Sequence, residues 1–432
     1  MSTRIVVVGG GTAGARLAQR LPVTLLGEEP HAPYNRVLLA DVLAGRYGPE
    51  VIALPGTREP ARLGVRAVRI DRAARTVECA DGSLVGYDRL VLATGSAPVL
   101  PPLRGLRGTE PPSGVHPFRT LDDCLALRAL VRPGTRAVVV GGGLLGVSAA
   151  RALAALGAGV VLTQQGEHLM ESQLDRTSSA LLQEHLEARG VEVHTECRVS
   201  GLRRHRGAVT AVELADGYVL DADVVILACG VRPRVALARD AGLEVRRGVV
   251  VDDELRTSDP YVHAIGDCAE HRDRVYGLAG PALDQADVLA ELLTAEAEAE
   301  ALGGTGSGSG TGRGPGSPAA PRYTGTRALT RLTLAGPAAD TIDTLGTLDT
   351  LGPLDLATFG ETTPTPGDDV VQLTDATRRA YRKVVVRGDR LVGGVLLGDL
   401  ASVGTLARTW EGDEALPEDA PLLHLLTHDG GS

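Results

Sequence analysis

Two stretches of this chain share one pattern, and that pattern limits the fold more than any other feature. The first reads IVVVGGGTAGARLAQRL and runs on to VTLLGEE. The second reads RAVVVGGGLLGVSAARALAALG and runs on to GVVLTQQ. A short all-apolar strand that passes through glycines into a helix, and then into another apolar strand, is a βαβ unit with parallel strands. Finding it twice predicts an α/β chain with two Rossmann-like dinucleotide-binding domains.

The glycine spacing carries the chemistry. In Gly9-x-Gly11-x-x-Gly14 the first glycine permits a tight turn. The second lets the backbone approach a pyrophosphate, and the third lets the helix pack on its strand. Thr12 and Ala13 then open a helix whose N-terminus faces the phosphates. Glu28 ends the following strand at the spacing expected of a ribose-binding carboxylate, with Glu29 a close competitor. Gly141, Gly143 and Gly146, with Leu145 between them, repeat the arrangement. There the strand ends in Gln164 and Gln165, and the next carboxylate in sequence is Glu167. Gln164 can hydrogen-bond a ribose but does not repel a 2′-phosphate, and no arginine adjoins it in sequence, so NADH against NADPH stays open.

Composition narrows the class. With 43% hydrophobic and 23% charged residues the chain reads as soluble and globular. A net charge of −10 argues against generic nucleic-acid or anionic-membrane binding. No apolar run reaches the ~20 residues of a membrane span, and MSTRIVVVGG lacks a signal-peptide pattern, which predicts a cytoplasmic protein. The five cysteines contain no CxxC pair, which disfavours a zinc ribbon, a compact iron–sulfur motif or a local redox disulfide; no metal site is expected. Lys383, the only lysine, lies in the strand-like run YRKVVV, so a Schiff-base role is disfavoured.

Residues 303–321, GGTGSGSGTGRGPGSPAAP, predict a flexible linker. Beyond it, TRALTRLTLAG, LDLATFGE and YRKVVVRGDRLVGGVLLGD predict a small α+β domain with a hairpin turning at Gly388-Asp389. The repeat-like insertion 337–353 shows no obvious chemistry.

LVLATGSAP, CGVRPR and VHAIGDCAE, in that order around the two glycine motifs, resemble the two-dinucleotide-binding-domain flavoprotein reductases. That resemblance implies FAD in the first site and NAD(P)H in the second, with Gly230 joining the second set. It also implies an FAD domain split in sequence, the turn Ala93-Thr94-Gly95 beside FAD, and Asp267 after Gly266 on the flavin's ribityl or phosphate portion. GEEPHAPYNRVLLADVLAG, LMESQLDRTSSALLQ and VYGLAGPALDQADVLA are most similar to the N-terminal flavin module of the assimilatory nitrite reductase large subunit. This implies further FAD contacts at Arg36 and Ala67. The implied organisation is an FAD-binding part at 1–119, an inserted NAD(P)H-binding domain at 120–244, a second FAD-binding part at 245–302, the linker, and a C-terminal domain at 322–432.

Departures from the family are also visible. Ser148 stands where relatives carry a glutamate near the nicotinamide, and Asp41 stands near a usual lysine. No catalytic side chain is assigned. His31, His116 and His263 read as structural or exposed, and Cys268 as a buried inert thiol. The leading expectation is an FAD-dependent oxidoreductase. It would take hydride from NAD(P)H and pass electrons to an iron–sulfur or sirohaem partner protein, or to a small acceptor, with a homodimer open to it. A flavin oxidase or tailoring enzyme acting on an organic substrate is a second reading. A non-enzymatic flavin-binding interaction protein is a third.

Overall fold

The computed structural model describes residues 3–106, 111–301, 321–327, 329–334, 352–417 and 421–427. Apart from Pro321, Gly352 and Pro353, the predicted linker and insertion lie outside the described residues.

The chain forms two compact units. The first comprises Met1–Arg36, Ile52–Ala97 and Arg232–Thr326. Its centre is a parallel sheet in the order Val262–Ala264, Arg89–Leu92, Ile5–Val8, Thr24–Leu26. These strands are rich in Val and Leu because both faces are covered, so nearly every side chain is buried. The helices Thr12–Arg20 and Ala279–Ala301 supply Leu17, Ala286 and Leu289 to that core. Arg16 holds them together through two bonds to Asp287, at 2.8 and 2.9 Å.

The second unit comprises Val37–Val51, Pro98–Val231 and Arg327–Ser432. Its parallel sheet runs Val191–His194, Gly159–Thr163, Arg136–Val140, Val224–Leu227, Val115–Pro117. The helix Leu144–Ala155 follows the central strand. An antiparallel sheet, in the order Thr330–Leu334, Leu354–Gly360, Arg390–Leu397, Ala380–Arg387, Asp369–Asp375, carries the C-terminal segment. Leu406 and Trp410 of the helix Val403–Glu411 pack on it. The predicted hairpin turns at Gly388-Asp389.

Besides the excursion Val37–Val51, the units change over at 97/98, 231/232 and 326/327, whereas the sequence suggests 119/120 and 244/245 for the first two of these three. The reason is the edge strand Val115–Pro117, which pairs with Val224–Leu227 in the second sheet. Likewise Ala238 and Leu243 pack into the first unit's core.

Candidate functional site

The first glycine turn sits at the end of the strand Ile5–Val8. Gly9 N–H donates to Leu26 O at 2.8 Å, and Ala93 N–H donates to Val8 O at 2.8 Å, so three strand ends are tied around the turn. Gly9 adopts φ +119°, and a Cβ there would overlap the Ala93 carbonyl. A Cβ on Gly14 would overlap the Gly9 carbonyl. One on Gly11 would meet nothing within 4 Å. The first and third glycines are therefore demanded by packing, while the second leaves open space above the N-terminus of Thr12–Arg20. The first-turn amides there have no intrahelical acceptor. This cradle fits the pyrophosphate of a dinucleotide.

The other expected residues of this site arrive from far along the chain. Gly266, at φ +76°, lies so close to the helix that its Cβ would stand 3.0 Å from that of Ala13. Its N–H donates to Gln285 Oε1 at 2.7 Å. Asp267 accepts from Ser96 Oγ at 2.8 Å, one residue beyond Ala93-Thr94-Gly95. Glu28 pairs with Arg234 at 2.5 Å. Arg234 is also fixed by its backbone: its N–H donates to Gly95 O at 2.9 Å, and its carbonyl accepts from Thr94 Oγ1 at 2.7 Å. Glu29 accepts from Tyr34 O–H at 2.6 Å and pairs with Arg36, whose guanidinium lies 4.9 Å from the Tyr34 ring centre. Ala67 begins the strand Ala67–Asp71 and pairs with Cys79; its methyl packs on the core. Arg234 was not singled out from sequence, although it closes the quoted CGVRPR.

The second cradle repeats the first bond for bond. Gly141 N–H donates to Thr163 O at 2.8 Å, and Ala228 N–H donates to Val140 O at 2.9 Å. A Cβ on Gly141 would overlap the Ala228 carbonyl, and one on Gly146 the Gly141 carbonyl, while Gly143 faces nothing within 4 Å. Leu145 lies in the first helical turn. Gly230 adopts φ +96° and its carbonyl accepts from Val99 N–H at 2.9 Å. A cleft of about 680 Å³ opens here, lined by Gly141, Gly143, Gln164, Glu171 and Gly230 among others. Its residues fit a second dinucleotide on the same observation.

The acidic groups around this cleft differ from the sequence reading. Gln164 turns back, and its Oε1 accepts the Gly142 N–H at 2.8 Å. Glu167 is paired with Arg176. Two carboxylates line the cleft, Glu213 and, eight residues past the strand end at Thr163, Glu171. Ser148 Oγ donates to Leu144 O at 2.8 Å. Asp41 pairs with the buried Arg151 at 3.0 Å. His263 is buried in the strand Val262–Ala264, and Cys268 is fully buried with Sγ 3.3 Å from both Leu92 O and Ile265 O. Burial pushes the Cys268 thiol up, in keeping with an inert role.

Residues 3–286 match the family model described as pyridine nucleotide-disulphide oxidoreductase. The chain belongs to that family. Membership makes this pyridine nucleotide-disulphide oxidoreductase an enzyme that uses FAD and NAD(P)H. Residues 347–411 match the rubredoxin NAD+ reductase C-terminal domain. The oxidoreductase is 34% identical to the nitrite reductase [NAD(P)H] large subunit of Klebsiella oxytoca, over 99% of this chain and 42% of that one. It is 30% identical to the assimilatory nitrate reductase electron transfer subunit of Bacillus subtilis, over 92% of this chain and 48% of that one. It therefore spans under half the length of these two relatives. The ferredoxin reductase for the CYP199A2 system of Rhodopseudomonas palustris shares the fold of the oxidoreductase, with a TM-score of 0.77 at 24% identity and 96% coverage of both chains. Among the described residues, no helix is long and apolar enough to cross a membrane.

Proposed function

We propose that this chain is the NAD(P)H-oxidising flavin module of an electron-transfer system. The observation that carries the reading is the pair of cradles, each with its first and third glycines locked by packing and its second left open. In this reading the first holds FAD through the amides after Gly11, with Glu28 or Glu29 toward the adenosine ribose and Asp267 toward the flavin side. The second holds NAD(P)H through the amides after Gly143. Bound FAD supplies hydride acceptance and onward electron transfer, and the chain's own residues bind, orient and exclude water. No titrating side chain is needed to move a proton.

The acceptor is proposed to be an iron–sulfur or sirohaem partner protein. Support comes from the roles of the relatives, a nitrite reductase subunit and an electron transfer subunit. The five cysteines are unpaired, which suits a reducing compartment such as the cytoplasm.

The test is anaerobic mixing of the flavin-loaded chain with NADH and with NADPH, followed at about 450 nm, the flavin band. Rapid bleaching by either donor supports the reading. Retention of the oxidised spectrum with both donors would sink it and turn attention to organic reductants.

A further inference from the structure

In a βαβ dinucleotide fold the adenosine ribose is taken at the end of the second strand, and a carboxylate there accepts from its hydroxyls. At the end of Gly159–Thr163 that position is Gln164, whose amide is spent on the glycine turn. We propose that Glu171 supplies the missing carboxylate and makes the cleft select an unphosphorylated adenosine ribose, hence NADH over NADPH. The inference rests on reading the second cradle as the NAD(P)H site.

Three observations place Glu171 for this work. It lines the same cleft as Gly141 and Gly143. Its Oε1 accepts the Glu167 N–H at 2.8 Å, and its Oε2 lies 3.5 Å from Gln164 Nε2, so the carboxylate is steadied beside the strand end. That carboxylate folds back over Gly166, in the space that a Cβ there would enter. An ionised carboxylate is an acceptor only. It can take hydrogen bonds from the 2′- and 3′-hydroxyls, whereas a 2′-phosphate offers it no donor and repels it.

Two arginines of the cleft pull the other way. Arg104 is engaged by Ser200 and Glu213, each at 3.3 Å. Arg198 follows Cys197, whose N–H donates to Gln164 O at 2.9 Å. Among the described residues no contact fixes the Arg198 guanidinium, so it must be ordered before it can act, while Glu171 is already held.

The test is calorimetric titration of the flavin-loaded full chain with ADP-ribose and with its 2′-phosphate, which reads binding without turnover. The wild type is expected to bind ADP-ribose at least about tenfold more tightly, the scale of like-charge exclusion. Glu171→Gln should bring the two ligands toward parity, Glu171→Arg should reverse the order, and Arg198→Ala should leave the wild-type preference standing. A wild-type preference for the phosphate, or a ratio that Glu171→Arg does not move, overturns the role of Glu171 while the cleft keeps its assignment. If neither ligand binds, the assignment of the cleft falls and the inference with it.

Discussion

Lys383, the only lysine of the chain, sets Nζ 2.7 Å from Asp175 Oδ2. Tyr381 O–H donates to the same oxygen at 2.6 Å, and Asp175 caps the helix Arg176–Glu187 by accepting the Ser178 N–H at 2.9 Å. Two residues earlier, Gln173 O accepts from Thr358 Oγ1 at 3.0 Å. The C-terminal antiparallel sheet thus grips, at two points within the second unit, the short segment that carries Glu171. Sequence reading left the role of this sheet open.

Replacing Lys383 by Met should be costly. Both partners are largely buried, so the change strands a carboxylate without its cation. A loss of about 3 kcal/mol is expected in urea unfolding. Affinity for ADP-ribose should fall as well, because the segment above loses an anchor. A stability change near zero would show that the pair is incidental.

Asp175 also sets an acid limit. Burial alone would raise its carboxyl, but the bonds from Lys383, Ser178 and Tyr381 outweigh it and hold the group at about 2, below its ordinary 3.8. The unfolded chain therefore binds the extra proton between those values. The contribution is whole above pH 3.8 and fades as pH falls through 2. Lys383→Met should raise the midpoint of acid unfolding, measured by circular dichroism.

His263 acts in a higher window. It is 1% exposed, its Nδ1 has no partner among the described residues, and burial pushes it down from 6.5 to about 4. The folded state thus binds fewer protons than the unfolded one between these values, and stability is lost as pH falls from 6.5 toward 4. The loss from this one group is about 3 kcal/mol. His263→Leu should flatten the slope of unfolding free energy against pH in that interval; an unchanged slope would assign it to other groups.

The glycines of the first cradle should separate folding from cofactor retention. Gly11→Val places its side chain in open space, so the chain should fold with near-normal thermal stability yet lose FAD on desalting. Gly14→Ala drives a methyl into the Gly9 carbonyl and should lower stability by about 2 kcal/mol, in the range of overpacked cores. If Gly11→Val purifies with a full complement of flavin, the cradle reading is wrong.

How much of this was legible in the sequence follows from how local each feature is. Both βαβ units and the hairpin at Gly388-Asp389 announce themselves through contiguous apolar runs bounded by glycine. The strand Val199–His205 does not: its arginines break the apolar pattern, and its register is interrupted twice against its neighbour. Val115–Pro117 is too short to signal, and its parallel partner is more than a hundred positions away. Around the cradles, the glycine turns were legible because backbone geometry dictates them. Glu171 and Arg234 were not, because each reaches its place through a loop: one through the room left by Gly166, the other by docking on Thr94 and Gly95.

The bond from Ser96 to Asp267 spans 171 positions, and the strand Val262–Ala264 pairs with Arg89–Leu92 across a similar gap. Every strand of the second unit's parallel sheet, by contrast, falls between Val115 and Leu227. On a growing chain the later-made cradle can therefore close first, while Arg89–Leu92 waits for an edge partner that the ribosome has yet to make. Under the proposed assignment of the cradles, loading of the flavin becomes a late event in biogenesis, and a chain stalled before Asp267 would carry a finished nicotinamide cradle and an open flavin one.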